Sequence, residues 1–158
     1  MSTTPARRPT VRMSEDELWA FVTDGHSGIL TTLRADGSPV ALPIWYAVVD
    51  RKVYIHTRGK KLIRVGHNPV SSFLVEDGEK WAELRAVHLA GTARIVTPSD
   101  QLAAEIDEEI SRKYDRFRTP AKDMPEKTRA AYSSGFAWIE FTPGDRILNW
   151  NNAHLTGA

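Results

Sequence analysis

The chain reads as a mainly β, α+β protein whose antiparallel strands close into a small barrel with peripheral helices. Three observations carry that reading. Strand-like runs follow one another through short hairpin loops, at Ala35-Asp36-Gly37-Ser38 and at Asp50-Arg51, and loops that short join antiparallel neighbours. No βαβ alternation appears, which argues against a doubly wound parallel sheet. The main helical patterns stand before and after a block of strands, with two further strands closing the chain.

The elements follow in order. Residues 1–13 (MSTTPARRPTVRM) are polar and aperiodic, and read as a flexible N-terminal arm ahead of one folded domain over 14–158. Ser14 opens a helix: Ser14 and Glu17 form a capping box, and Leu18, Phe21 and Val22 make its apolar face. Asp24-Gly25 ends it. Gly28–Arg34 is a strand, and 39–49 (PVALPIWYAVV) is one returning strand. Pro43 inside it demands an edge or a bulge, because proline donates nothing to a ladder. Lys52–Thr57 is a third strand, with Val53 and Ile55 alternating against Tyr54 and His56. Residues 58–68 (RGKKLIRVGHN) form a short helix stopped by Asn68-Pro69. Val70–Val75 is a fourth strand, and 81–96 is a long strand bent at Gly91. Thr97-Pro98 begins the longest helix, with threonine as cap, and Leu102, Ile106, Ile110 and Phe117 as its face. A short helix near 125–133 precedes two last strands, 136–142 and 146–150, which flank Pro143-Gly144-Asp145.

Composition narrows the function. The chain has 158 residues, 41% hydrophobic and 26% charged, with a formal net charge of +1. That length supports one core. The balanced charge supplies no global field to recruit nucleic acid or a membrane surface. Absence of cysteine excludes thiolate nucleophiles and cysteine-ligated metals and fits a cytoplasmic setting. No apolar run approaches the roughly 20 residues of a membrane span. Arg7, Arg8 and Arg12 precede no apolar stretch, so no secretory signal is read there.

Three segments can carry chemistry. Arg58, Lys60, Lys61 and Arg64 form a basic run that ends at His67 with no acid inside it. Gly59 lets the backbone approach a bound group, and the helix start favours an anion. Alone, the run reads equally as a solvated face. Pro43-Ile44-Trp45-Tyr46 offers a strand backbone and two aromatics to a flat ring, or simply a strand with one aromatic in the core. Trp81 and Arg85 can reach a partner's site or belong to a surface loop. The histidines show no metal-ligand spacing, and no GxSxG elbow or obvious general base stands out. If the chain is an enzyme, its reactive atom belongs to a cofactor.

These pieces resemble a family. GILTTLRADGSPVALPIWYAVVDRKVYIHT, RGKKLIRVGHNP and SSFLVEDGEKWAELRAVHLAGTARIV, in that order, resemble the pyridoxamine 5'-phosphate oxidase-like superfamily. Within it they look like the small flavin/deazaflavin-dependent oxidoreductases of the B type, as does the closing RILNWNNAHL. The resemblance implies an antiparallel split β-barrel of the FMN-binding kind, a homodimer, and cofactor sites at the dimer interface. It implies a cofactor-phosphate site at Lys60 and Lys61, Lys61 matching better, flanked by Thr57 and Arg58. Pro43, Ile44, Trp45 and Tyr46 would lie along the cofactor ring. Trp81, Arg85 and Trp150 are candidates from the second subunit. Arg64 stands where relatives often have asparagine, and its charge suits an acidic cofactor tail. Asn151 replaces a common aspartate, and the substrate-phosphate Arg/His set of true vitamin B6 oxidases is absent from 146–158.

The resulting expectation is a reductase. It uses a reduced deazaflavin coenzyme (coenzyme F-420) or FMN to pass a hydride to a small conjugated or aromatic substrate. The alternative is a non-catalytic flavin- or haem-binding split-barrel protein, with His56 or His88 as the axial ligand.

Overall fold

The computed structural model describes residues 10–156. Helix α1 (Glu15–Asp24) leads to strands β1 (Gly28–Leu33), β2 (Pro39–Ile44), β3 (Ala47–Val49) and β4 (Lys52–Arg58). Helix α2 (Lys60–His67), β5 (Val70–Asp77) and β6 (Arg85–Val96) follow. Then come α3 (Asp100–Tyr114), α4 (Glu126–Ala131), β7 (Phe136–Asn151) and α5 (Ala153–Thr156). Among the described residues, the seven strands lie in one sheet of order β2-β1-β5-β6-β7-β4-β3, and every pairing is antiparallel.

Closure follows from one covalent fact. β2 and β3 are opposite edges of the sheet, yet only Trp45 and Tyr46 separate them in the chain. Three residue steps span at most about 10 Å, so the sheet must curl until its edges meet. They meet without a ladder between β2 and β3, which makes a split barrel. The single strand expected over 39–49 is therefore two strands broken at Trp45-Tyr46. Pro43 falls on the edge strand, as its missing donor requires. Asp50 and Arg51 turn the β3–β4 hairpin with φ of 49° and 60°, the paired positive values of a type I′ turn.

Two apolar layers hold the sheet. Inside the curl, Leu30, Tyr46, Val53, Ile55, Phe73, Val87, Leu89, Ile139 and Phe141 are buried with Leu18, Phe21 and Val22 of α1. Outside it, α3 lays Ile106, Leu102 and Ile110 over Ala47, Tyr54 and Trp138. Glu140, also on that outer face, receives hydrogen bonds from Tyr54 (2.9 Å), Arg94 (2.9 Å) and Lys52 (3.3 Å). Burial pushes its carboxyl up, but these donors outweigh it and hold the pKa below the ordinary value.

Several boundaries differ from expectation, each for a local reason. Ser14 caps α1 by accepting from Glu17 N–H, but the Glu17 carboxylate turns to Asn151 and His154 instead of closing the box. The cap of α3 is Ser99, accepting from Leu102 N–H, so the helix starts after Thr97-Pro98. Phe117 falls in a 3-10 turn (Asp115–Phe117) beyond the helix. Residues 81–83 form another 3-10 turn, so β6 begins at Arg85. The last two strands are one: Pro143-Gly144-Asp145 is an irregularity inside β7, opposite the bend in β6 between Leu89 and Gly91. A side chain at Gly91 would place Cβ 2.2 Å from the Thr142 carbonyl oxygen, so the two backbones meet there only over glycine. Of the expected arm, residues 1–9 lie outside the described residues. Residues 10–13 are tied to the domain: Met13 is buried and donates its N–H to Asn149, and Val11 accepts from Asn151 N–H.

Candidate functional site

The basic run forms a helix terminus open to an anion. Gly59 stands before α2 with φ of 76° and ψ of −145°, a conformation only glycine adopts cheaply. No side chain caps α2, and no acid lies in its first turn. Its first return bond is Leu62 N–H to Gly59 C=O. Among the described residues, the N–H groups of Lys60 and Lys61 have no hydrogen-bond partner, and neither ammonium has an ion-pair partner. A Cβ built at Gly59 would meet nothing within 4 Å. Free donors, two cations and open space suit a phosphate.

The neighbouring cations are differently employed. Arg58 reaches the C-terminal end of α4: it donates to the Ala131 carbonyl and lies 4.4 Å over the Tyr132 ring. Arg64 reaches β1 instead of the helix start, with Nε donating to Thr32 Oγ1 at 2.7 Å. Thr57 is buried at the end of β4.

The 43–46 segment divides two clefts. Pro43 lines a cleft of about 680 Å³ with Phe21, His26, Asp77 and Arg85. Arg85 is held there bidentately by Asp77, at 2.7 and 2.8 Å, above the Phe21 ring. Ile44 packs on the inner core. Trp45 lines a second cleft, of about 530 Å³, whose far wall is Phe117 to Tyr132. Its indole stacks on Tyr114, with centroids 4.5 Å apart and planes 7° from parallel. Tyr46 is fully buried, and its backbone is closed off by the same residue: Tyr46 N–H donates to Tyr114 Oη, whose O–H donates to Tyr46 C=O. Burial pushes the Tyr114 phenol up to about 12 and Tyr46 higher still, so both are neutral donors.

Within one chain, Arg58, which directly precedes the α2 terminus, holds Tyr132 of the wall of Trp45's cleft. Trp81, Arg85 and Trp150 do not join them. Trp150 lies near one end of β7 and Phe136, the partner of Arg58, at the other. His56 stacks on Trp138 at 4.6 Å on the outer face, and burial lowers its pKa. His88 sits between Leu74 and Leu148 on the adjoining part of the sheet. Neither histidine lines either cleft.

Tyr114 was not legible as a site residue, although it continues the Ile106–Ile110 face at the next four-residue step. Lys113 beside it escaped for a stronger reason, since lysine is rarely buried. Among the described residues its Nζ has no hydrogen-bond partner, and it lies 3.6 Å from the Tyr46 ring centroid.

A curled antiparallel sheet split between two strand edges defines the class as a split β-barrel. The pyridoxamine 5'-phosphate oxidase family model matches residues 14–145, and the chain belongs to that family. It is 32% identical over 116 residues to the F420H(2)-dependent biliverdin reductase of Mycobacterium tuberculosis, covering 70% of this chain and 77% of that one. A conserved hypothetical protein of M. tuberculosis has a similar structure, with a TM-score of 0.75 and 26% identity over 97% of this chain and 93% of that one. An FAD-binding protein of Mesorhizobium loti shares the fold at a TM-score of 0.64 and 18% identity, over 87% and 94% of the two chains. Among the described residues no helix is long and apolar enough to cross a membrane.

Proposed function

We propose that this chain is a reductase that holds coenzyme F-420 or FMN with its phosphate at the start of α2. The observation that carries the reading is the α2 terminus itself: a positive-φ glycine, unpartnered N–H groups and the free ammonium of Lys61. The F420H(2)-dependent relative supports a deazaflavin, and Lys60 adds charge for an acidic tail.

When bound, either cofactor supplies the hydride that a small conjugated or aromatic substrate accepts. The protein's own part is positional. Lys61 and the α2 N–H groups fix the phosphate. The Pro43–Trp45 backbone lies beside the ring, and Tyr114 holds that segment by bonding both backbone groups of Tyr46. The aromatic wall of the 530 Å³ cleft borders the Trp45 end of that segment and receives the substrate.

A second copy of the chain completes the site in this reading. The register places Pro43, Ile29, Leu74, His88 and Leu148 in one row across the outer face, with Ala41, Thr31, Ser72 and Ala90 beside it. Small residues allow close approach, and Leu148 and Trp150 stay exposed in the monomer. Such an interface buries more than about 1,000 Å². Sedimentation at micromolar concentration should give a dimer; a monomer alone would remove the second subunit from the account.

Spectroscopic titration of the protein with each cofactor tests the reading. At least one should bind, and its affinity should fall as salt rises, because exposed attraction is screened over about 8 Å at physiological ionic strength. Binding of neither cofactor refutes the proposal.

A further inference from the structure

We infer that the 530 Å³ cleft between Trp45 and the 117–132 segment is a binding site for a flat conjugated carboxylate of two or three fused rings, with Arg118 as its anion partner. Its role as the substrate site rests on the cofactor reading above; its existence as a binding site does not.

The wall is aromatic where it is exposed. Trp45, Phe117 and Tyr132 keep 38%, 45% and 60% of their surfaces accessible, although each ring is held by a neighbour. Trp45 lies on Tyr114, Phe117 meets His26 edge-on at 4.5 Å, and Tyr132 carries the Arg58 guanidinium. Rings fixed in this way form a preorganised surface for a planar π system. Met124 adds an adaptable, polarisable side chain to the same wall. The volume lies in the lower half of the range of about 300–1,000 Å³ typical of small-molecule pockets.

The polar rim sets the ligand's charge. Arg118 and Asp123 line it. Among the described residues the Arg118 guanidinium makes no hydrogen bond, only a 3.5 Å ion pair with Asp115 that is half exposed. Exposed pairs of that kind hold little energy, so the planar fork is free to take a carboxylate through two parallel N–H donors. Asp123 on the same rim repels an anion seated elsewhere, which orients the ligand with its carboxylate toward Arg118.

Position gives the cleft its place in the chemistry. Trp45 belongs to the segment assigned to the cofactor ring, and Arg58, which holds Tyr132, directly precedes Gly59 and the phosphate seat. A ring lying on Trp45 is thus adjacent to a ring lying along residues 43–45.

The test uses the full chain, with 2-naphthoate as probe and 2-naphthylmethanol as its uncharged match, followed by calorimetric titration. Wild-type protein should bind naphthoate more tightly than the alcohol. Arg118→Met should weaken naphthoate about tenfold to a hundredfold, the loss of one charged hydrogen-bonded contact, and leave the alcohol within about twofold. Thr128→Trp, which fills the cleft from α4 without removing a side-chain hydrogen bond among the described residues, should abolish binding of both. Equal effects of Arg118→Met on the two probes, full binding by Thr128→Trp, or no naphthoate binding by wild type would each overturn the inference. If the naphthoate pattern holds but neither cofactor binds, the pocket stands and the reductase reading alone falls.

Discussion

Lys113→Met should raise the melting temperature, and should do so more at about pH 6 than at about pH 10. Burial pushes the Lys113 ammonium down to about 7 in the folded protein, against 10.5 for an ordinary lysine. The unfolded chain therefore binds more protons between those two values, and wild-type stability rises with pH across that window. Below it, the folded state carries a buried cation with no hydrogen-bond partner among the described residues. The Tyr46 ring, 3.6 Å from Nζ, and the carboxylates of Glu109 and Asp24 offset part of that cost. Methionine keeps the length of the stem and removes the charge. By analogy with buried ion pairs replaced by apolar residues, the gain is about 1–4 kcal/mol on the acid side. For a chain of this size each kcal/mol moves the midpoint by about 2–4 °C. Thermal melts of both proteins across pH decide the matter. Equal destabilisation by methionine at both pH values would show instead that the contact with Tyr46 outweighs the burial cost.

The fold was readable wherever chemistry is local. The Asp-Gly and Asp50-Arg51 turns, the Ser14 cap and the Asn68-Pro69 stop each act within a few residues, and each falls where expected. Pro43 announced an edge because its missing N–H is a property of one residue. What the sequence concealed depends on partners distant in the chain. The break at Trp45-Tyr46 exists because the sheet closes there, and no local signal marks it in PVALPIWYAVV. The continuity of β7 through Pro143-Gly144-Asp145 depends on β6 running alongside. Site residues divide in the same way. Gly59, Lys60 and Lys61 could be singled out because a glycine, a helix start and unpaired cations are all local features. The diversions of Arg58 to Tyr132 and of Arg64 to Thr32 were invisible, since each depends on a residue more than thirty positions away. Tyr114's grip on Tyr46 spans 68 positions and appears only once α3 is laid across the barrel.

In the proposed function, Lys61 and the start of α2 seat the cofactor phosphate. Lys61→Ala removes an ammonium that makes no ion pair among the described residues and whose side chain is absent from the buried core. The fold should therefore be unaffected. Loss of a charge-assisted hydrogen bond to phosphate costs about 1.5–3 kcal/mol, which is roughly a tenfold to hundredfold rise in dissociation constant. Lys127→Ala, on exposed α4, is the matched control; Lys52 is unsuitable because it bonds Glu140. The deciding measurement is a fluorescence titration of wild type and both variants with coenzyme F-420 and with FMN, at one ionic strength. The cofactor bound by wild type should lose about tenfold or more in affinity with Lys61→Ala and less than about twofold with Lys127→Ala. Indistinguishable dissociation constants for the two variants would contradict it and place the phosphate elsewhere.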